Sequence, residues 1–151
     1  MAEVLMLTQI FFVSYSHDDA HVVEPIVAML RTTGTTVFRD KDSIQPGDKW
    51  RQVLNQSLQQ ADVFLVFWSG NSAASEEVRT EYESALAMDT RIVPVLLDDT
   101  PIDAALAQYQ HIDFRPAYRS AACNLGSKAT AAQIFVAKLL IHLQDLAPRV
   151  G

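Results

Sequence analysis

The sequence predicts an α/β protein with a flavodoxin-like, doubly wound parallel sheet of about five strands and helices on both faces. Continuous apolar runs of strand length alternate along the chain with segments whose apolar residues recur every three or four positions. Such runs are typical of strands covered on both faces, and the alternation is typical of parallel strands joined by helices. We expect the 151 residues to form one domain with a core over about residues 9–146.

The first half of the chain contains three predicted strands. They are Ile10 to Tyr15, Thr35 to Phe38 and Val63 to Trp68, each a short apolar or β-branched run. A helical stripe follows the first strand and closes near Gly34, and a second stripe runs from Trp50 to Ala61 before the third strand. The polar segment between the second strand and the second stripe contains a Pro-Gly pair, so we expect a loop there.

The second half continues the alternation. A turn follows the third strand, and a helical stripe then runs from Val78 to Leu86. The fourth strand, Arg91 to Leu97, contains Pro94, which lacks a ladder donor and is tolerated best near an edge or a bulge. The remaining predicted elements are a short helix at Pro101 to Leu106, a short strand at His111 to Phe114 and a closing helix from Ile134 to Leu146.

Composition narrows the class of protein. The net charge of −6 argues against a nucleic-acid module, which needs a dominant basic face. The chain has one cysteine, so an intrachain disulfide is excluded and a reducing, cytoplasmic location is expected. The apolar N-terminal run lacks a basic region and a cleavage site, and no window approaches the roughly 20 apolar residues of a membrane span. We therefore expect neither a secreted nor a membrane protein.

Several enzyme motifs are absent. The sequence has no P-loop, no glycine-rich dinucleotide fingerprint and no nucleophile elbow. The third predicted strand ends in Trp68 and Ser69, so the phospho-acceptor aspartate of a response-regulator receiver is missing. His17 and His21 have the spacing of a helical zinc pair, but no third ligand is evident nearby. At that position Asp18 or Asp19 is expected to cap a helix instead.

Parallel α/β sheets bind ligands outside the carboxyl ends of their strands, at the point where the strand order reverses. In this sequence that rule selects three loops, which follow the first three predicted strands. They are Ser14 to Asp19, Arg39 to Asp48, and Ser69 to Ser75.

Four segments lie in and around these loops, in order from about Ile10 to Leu97. They are FFVSYSHDD, VFRDKDSIQPGDKW, FLVFWSGNSAASEEVRTEYESAL and IVPVLL. In sequence, order and spacing they resemble the four boxes of Toll/interleukin-1 receptor (TIR) domains. The overall look is that of bacterial members.

The resemblance implies one of two functions. Many bacterial and plant TIR domains cleave NAD+ into nicotinamide and ADP-ribose or a cyclised ADP-ribose, with NAD+ as a substrate rather than a cofactor. For this chain, such an activity would belong to prokaryotic antiphage defence or nucleotide signalling. Other members are non-catalytic modules that self-associate through TIR–TIR contacts, here by the Arg39 to Asp48 loop, often as parts of proteins with fused or partner sensor and effector domains.

The resemblance also implies a catalytic residue. The family's enzymes carry a glutamate on the helix after the third strand, and in this chain Ser75, Glu77, Val78 and Glu81 occupy the motif positions, with Glu81 as the catalytic glutamate. Glu77 departs from the family, since many members have Trp there. Ser72 replaces a common Tyr.

The resemblance and the loop positions give further substrate-binding candidates. Ser14, Ser16 and His17 end the first strand, where family enzymes line the ribose and nicotinamide pocket. Trp50 is expected either to stack on a ring or to pack in the core, and its place in a helical stripe favours the core. Trp68 is expected to pack in the core. The remaining candidates are Arg39 and Lys41 (with Lys49 beside them) for the pyrophosphate, Ser69 and Ser72 for ligand contact or helix capping, and Glu77.

Helix phase and reaction chemistry bear on Glu81 independently of the family. At about 100° per residue, Glu81 lies just outside the buried stripe, Glu77 shares its side, and Glu76 and Glu83 lie well away and should be solvated. From spacing alone, a solvated Glu81 paired with Arg79 or Arg91 is the commoner outcome. Cleaving NAD+ expels neutral nicotinamide, so no general acid is required, and a single carboxylate can stabilise the oxocarbenium-like transition state.

Overall fold

The computed structural model describes residues 9–39, 47, 49–115, 133 and 135–139, and its centre is a five-stranded parallel sheet. The strand order is β2-β1-β3-β4-β5, which confirms the predicted flavodoxin-like arrangement. The strands are β1 (Ile10–Ser14), β2 (Thr36–Phe38), β3 (Val63–Trp68), β4 (Arg91–Leu96) and β5 (Ile112–Asp113).

Helices connect these strands. The described helices are α1 (Ala20–Thr32), α2 (Trp50–Gln60), α3 (Gly70–Ala73), α4 (Glu76–Ala87) and α5 (Ala104–Ala107), with a 3-10 turn at His17–Asp19. The short helix α3 replaces the turn predicted after the third strand. Residues 133 and 135–139 are helical, and the rest of the closing helix predicted from Ile134 to Leu146 lies outside the described residues.

The core has two layers, one on each face of the sheet. Alternate residues of β3 point to opposite faces: Val63, Leu65 and Phe67 pack with α1 and with residues 135–139, while the intervening side chains pack with α2 and α4. All six β3 side chains are buried, as their unbroken apolar run predicts for a central parallel strand.

The limits of two elements have local causes. Gly34 follows α1 with a φ of 86°, a left-handed conformation that suits glycine and ends the helix where predicted. Pro94 aligns with Val66 of β3, whereas β5 pairs only with Val95 and Leu96 of β4. In the described part of the chain, Pro94 thus has a strand partner on the β3 side and none on the β5 side, an environment like that of an edge although β4 lies inside the sheet.

Within the described ranges, no helix is both long enough and apolar enough to cross a membrane.

Candidate active site

The carboxyl ends of β1 and β3 meet at the point where the strand order reverses. β1 lies between β2 and β3, and its last residue, Ser14, is in register with Val66. The chain leaves β1 towards one face of the sheet and β3 towards the other, which is the arrangement that places ligand sites in sheets of this class. Two of the three predicted loops, at 14–19 and 69–75, therefore lie side by side.

Ser14 and Glu81 meet at this edge of the sheet. The Ser14 hydroxyl donates a hydrogen bond of 2.6 Å to Oε1 of Glu81, although 67 positions separate the two residues. Ser14 points to the same face as Phe12, the face that α4 covers, because strand side chains alternate. Both side chains are buried, with exposures of 1% and 5%. The structure thus brings together two of the predicted site residues.

Glu81 is more buried than its helix phase predicted. It lies beside Val78, Tyr82 and Ala85 in the buried set of α4, rather than outside the edge of that stripe. The alternative of a solvated surface Glu81 is therefore wrong. The reason is tertiary: α4 packs against the end of β1, where Ser14 supplies a polar partner for a carboxylate.

The other three glutamates of α4 differ from Glu81 in their exposure to solvent. Glu76 and Glu83 are exposed, as helix phase indicated, and Glu77 is exposed as well. Ser75 starts the helix by accepting a hydrogen bond of 3.2 Å from the Val78 N–H, which leaves Glu76 and Glu77 in the first turn, where the helix dipole favours acids. Glu77 shares the general side of Glu81 but not its burial.

Asp19 is the site residue that sequence reasoning missed. Its side chain is fully buried, but it makes no hydrogen bond to the start of α1, so the predicted cap by Asp18 or Asp19 is wrong. Ser16 caps the preceding turn instead, by accepting from the Asp18 N–H. The Asp19 carboxylate accepts hydrogen bonds from the Ser69 hydroxyl and, at 2.9 Å, from the side-chain amide of Asn71.

Ser69 and Ser72 cap and brace the connection after β3. The Ser69 hydroxyl oxygen accepts a hydrogen bond from the Ser72 N–H and so caps α3, while the Ser72 hydroxyl donates to the Phe67 carbonyl. Both side chains are 1% exposed. Of their two predicted roles, capping is present; ligand contact stays a prediction.

Asp98, just beyond β4, holds the same connection from the other side. Its Oδ2 accepts a hydrogen bond of 3.0 Å from the Gly70 N–H, and its Oδ1 accepts from the Thr100 N–H. Burial opposes ionisation of Asp98, but the hydrogen bonds from Thr100 and Gly70 together outweigh it and hold the pKa of this carboxyl below its ordinary value. Asp98 is therefore a second acceptor for the segment between β3 and α4.

Of the predicted pyrophosphate-binding cations, Arg39 directly follows β2. Nη1 of Arg39 is 2.8 Å from Oε1 of Glu24 and donates to the Tyr15 hydroxyl at 3.2 Å. Burial, followed by the hydrogen bond to Glu24, raises the pKa of Tyr15. Lys41 and most of the Arg39 to Asp48 loop lie outside the described residues, and Lys49 is exposed at the start of α2.

Two further candidates, Ser16 and His17, follow β1. Ser16 is 7% exposed and caps the 3-10 turn, whereas His17 is exposed. His21, the second member of the possible zinc pair, is exposed too. Among the described residues, no three His, Cys, Asp or Glu side chains are placed to hold a metal ion together.

The two tryptophans differ. Trp50 is 46% exposed and its ring faces the Arg51 guanidinium at 5.2 Å, so the expectation that it packs in the core is wrong. It is the first residue of α2, and the apolar stripe of that helix begins only at Leu54. Trp68 is 3% exposed, packs edge-on against Tyr82 and donates to the Pro101 carbonyl, which confirms its packing role.

Comparison with known families assigns the fold. The family profile described as "TIR domain" matches residues 11–125, well over half of the chain. The chain belongs to the TIR domain family. The resemblance of the four sequence boxes is thereby confirmed.

Two curated relatives of this TIR domain come from Brucella melitensis, biotype 1 and biotype 2. Both are named "Probable 2' cyclic ADP-D-ribose synthase TcpB", and each is 29% identical over 90 residues, or 56% of this chain. The matched region is 36% and 33% of the two relatives' lengths, so the chain spans about a third of them.

Solved structures share the fold at low identity. The TIR domain of the Toll-related receptor TRR-2 from Hydra magnipapillata has a TM-score of 0.59 at 16% identity, covering 73% of this chain and 91% of the receptor domain. The TIR domains of the activated Roq1 resistosome give 0.55 at 19%, covering 84% and 85%. A 2-deoxyribosyltransferase from Bacillus psychrosaccharolyticus gives 0.54 at 14%, covering 69% and 85%. At these identities the likeness shows the fold alone.

Proposed function

We propose that this TIR domain cleaves the nicotinamide–ribose bond of NAD+ and releases nicotinamide with ADP-ribose or a cyclised ADP-ribose. The observation that carries the proposal is the buried Glu81 carboxylate, which is hydrogen-bonded to Ser14 at the switch point of the sheet. Glu81 is the catalytic residue in this proposal, and NAD+ is the substrate rather than a cofactor.

The chemistry fits a buried carboxylate. As the bond to nicotinamide breaks, positive charge develops on the ribose, and a carboxylate beside the ring stabilises it more strongly in a site from which water is excluded than in bulk solvent. Nicotinamide leaves as a neutral molecule from a cationic pyridinium, so no acid has to protonate it. One well-placed carboxylate is therefore sufficient.

Ser14 prepares Glu81 for a ribose hydroxyl. Its hydroxyl donates to Oε1 of Glu81, the kind of bond that a ribose hydroxyl would make. In the free protein this bond keeps the buried carboxylate satisfied and oriented. On binding, a substrate hydroxyl joins or replaces Ser14 as the donor, so the carboxylate is already positioned when the substrate arrives.

The curated relatives support a reaction of this class. Their name, a probable 2' cyclic ADP-D-ribose synthase, gives a cyclic ADP-ribose as the product. Loss of nicotinamide from NAD+ would supply the ADP-ribosyl group from which such a ring closes. For this chain we propose the first step, with hydrolysis or cyclisation as the second, in antiphage defence or nucleotide signalling in the cytoplasm.

The rest of the binding site follows the loops around Glu81. We assign Ser16, His17 and Glu77 to the rim that faces the ribose and nicotinamide, while Ser69 and Ser72, whose side chains are 1% exposed, cap and hold the loop behind it. Arg39 and Lys41 are assigned to the pyrophosphate, because a guanidinium and an ammonium bind phosphate oxygens through charge-assisted hydrogen bonds. In the free protein Glu24 accepts from Arg39, so a pyrophosphate would compete with that carboxylate.

The deciding experiment follows the release of nicotinamide from NAD+ by chromatography with concentrated protein. Wild type is expected to release nicotinamide. In Glu81→Gln the rate of release should fall by at least about 100-fold, because a neutral amide cannot stabilise the developing charge. Glu83→Gln is the matched control: the same substitution on an exposed residue of the same helix should leave the rate unchanged. Absence of nicotinamide with clustered wild-type protein, or equal release by Glu81→Gln, would refute the proposal.

A second candidate function is assembly through TIR–TIR contacts, with or without catalysis. The observation that favours it is the 46% exposure of Trp50, the large side chain next to the Arg39 to Asp48 loop that the sequence predicts for self-association. Sedimentation of wild type and Trp50→Ala across protein concentrations tests it. Assembly that weakens in Trp50→Ala supports this surface, and equal assembly in both proteins contradicts it.

A further inference from the structure

The connection between β3 and α4 is fixed by side chains from both neighbouring strand ends. Asp19, which follows β1, accepts hydrogen bonds from Ser69 and Asn71. Asp98, which follows β4, accepts from the Gly70 N–H. The connection therefore has one acidic anchor on each side.

The Asp19 anchor is specific in its geometry. Each carboxylate oxygen takes a separate donor: Oδ2 accepts from the Ser69 hydroxyl and Oδ1 from the Asn71 amide. The side chain is fully buried, so water cannot replace a lost donor, and the partners lie 50 and 52 positions further along the chain. Asp18, its neighbour in the same turn, is exposed.

The anchored connection leads directly into the helix of Glu81. Ser69 caps α3, the Ser75 N–H donates to the Ser72 carbonyl, and Ser75 in turn caps α4. A shift at residues 69–71 is therefore passed through two short hydrogen-bonded turns to the start of α4. Asp19 belongs to the segment that begins at Ser14, so the same contact sets the distance between the end of β1 and α4.

We propose that Asp19 is a positioning residue for the reaction, and this inference rests on the proposed function. It does not touch the reacting atoms. By clamping Ser69 and Asn71 to the end of β1, it holds α4 so that the Glu81 carboxylate stays on Ser14 and beside the ribose. Loosening the clamp leaves the substrate-binding groups in place and misplaces the carboxylate, and misplacements of about 1 Å cost up to about 100-fold in rate.

The kinetic test compares Asp19→Asn with Asp18→Asn. Asp19→Asn keeps the shape but leaves one acceptor oxygen for two donors and removes the negative charge that strengthened both hydrogen bonds. We expect kcat for nicotinamide release to fall about 10- to 100-fold, and KM to change less than about 3-fold because ground-state binding is retained. Asp18→Asn should match wild type. A rise in KM with unchanged kcat would overturn the inference, since it would mean that Asp19 binds the substrate.

A reciprocal exchange supplies the rescue. In the double variant Asp19→Asn with Asn71→Asp, the amide at position 19 donates to the carboxylate at position 71. The amide oxygen at position 19 still accepts from Ser69. We expect this double variant to recover most of the lost kcat. Asn71→Ala changes an exposed residue and removes one hydrogen bond of the clamp, so it should lower kcat by itself. This variant replaces Asp19→Asn in the test if Asp19→Asn does not fold. Failure of both the rescue and the Asn71→Ala effect overturns the inference.

Amide hydrogen exchange separates this inference from the proposed function. In Asp19→Asn, a peptide covering residues 69–75 should exchange faster than in wild type, while one covering Ile112 to Arg115 should not change. This readout needs no turnover. If wild type cleaves no NAD+, the proposed function fails, but amide exchange at residues 69–75 still shows whether Asp19 holds this segment. If wild type cleaves NAD+ but Asp19→Asn alters neither kcat nor exchange, the clamp alone fails.

Discussion

Two groups of carboxylates lie at the carboxyl edge of the same sheet, and they are held in opposite ways. Beside β1 and β3, Glu81 and Asp19 are 5% and 0% exposed and accept hydrogen bonds from serine hydroxyls and an asparagine amide. Asp99, which lies beyond β4, and Asp113, the last residue of β5, bind the Arg115 guanidinium, and their side chains are 69% and 43% exposed. We refer to these as the inner and the outer groups.

The difference lies in what happens when a partner is removed. A buried carboxylate that loses a donor keeps its desolvation cost without compensation, so each donor of the inner group matters. An exposed carboxylate that loses a cation is hydrated again by water, so the outer group should contribute little despite its full charges. The burial of a carboxylate is therefore a better guide than its formal charge to how much its hydrogen bonds stabilise this protein.

The largest effect is expected for Ser14→Ala, which removes a buried hydrogen-bond donor of Glu81. Unfolding in urea at neutral pH should show a loss of about 1–3 kcal/mol, because a buried charged acceptor loses a hydrogen bond. Ser84→Ala is the matched control: its hydroxyl donates to the Thr80 carbonyl on the half-exposed side of α4, and its loss should cost less than about 0.5 kcal/mol. Equal losses in the two variants would show that the bond between Ser14 and Glu81 is not a stabilising element.

An intermediate effect is expected for Tyr82→Phe. Tyr82 is 3% exposed and donates a 2.7 Å hydrogen bond to Asp103, whose carboxylate is only half-buried. We expect a loss of about 1 kcal/mol at pH 7. Tyr15→Phe should cost less, because the partner of that hydroxyl, Glu24, has a side chain that is 48% exposed.

The pH dependence of the Tyr82 bond identifies its source. The Tyr82 hydrogen bond, with that from the Ala105 N–H, holds the pKa of Asp103 below its ordinary value, so this stability is present above about pH 4 and is lost as pH falls further. Burial, followed by the bond to Asp103, raises the pKa of Tyr82, so the contribution fades again above about pH 10. A difference between wild type and Tyr82→Phe that is constant from pH 7 to pH 3 would contradict this assignment.

Most of the sheet could be predicted because it rests on local pattern. The six-residue apolar run at Val63–Trp68 gives β3 with the predicted bounds, and the stripes before and after it give α2 and α4. The short helix α3 was not predicted. Its four residues, Gly70–Ala73, carry no periodic signal, and the helix depends on capping by Ser69 and on the anchors at Asp19 and Asp98.

The site was predictable in its residues but not in its contacts. The motif resemblance selects Glu81 and Ser14, whereas their hydrogen bond depends on a packing of α4 on β1 across 67 positions that no local spacing encodes. Asp19 was misassigned for the same reason: next to a helix start, a capping role is the local expectation, and its actual donors lie 50 and 52 positions away. Trp50 shows the converse, since an aromatic residue in a helical stripe is buried only if another element covers it.

The smallest effect is expected for Arg115→Gln in the outer group. The Arg115 hydrogen bond is the main cause that holds the pKa of Asp113 far below its ordinary value, so any stability it adds is present above about pH 4 and is lost at lower pH. Because these side chains are exposed, the shift in urea midpoint should be less than half that of Tyr82→Phe. It should vanish in about 1 M salt, where screening acts within about 3 Å. The Ser14→Ala loss, by contrast, should persist in the same salt. A salt-insensitive Arg115→Gln effect as large as that of Ser14→Ala would remove the distinction between the two groups.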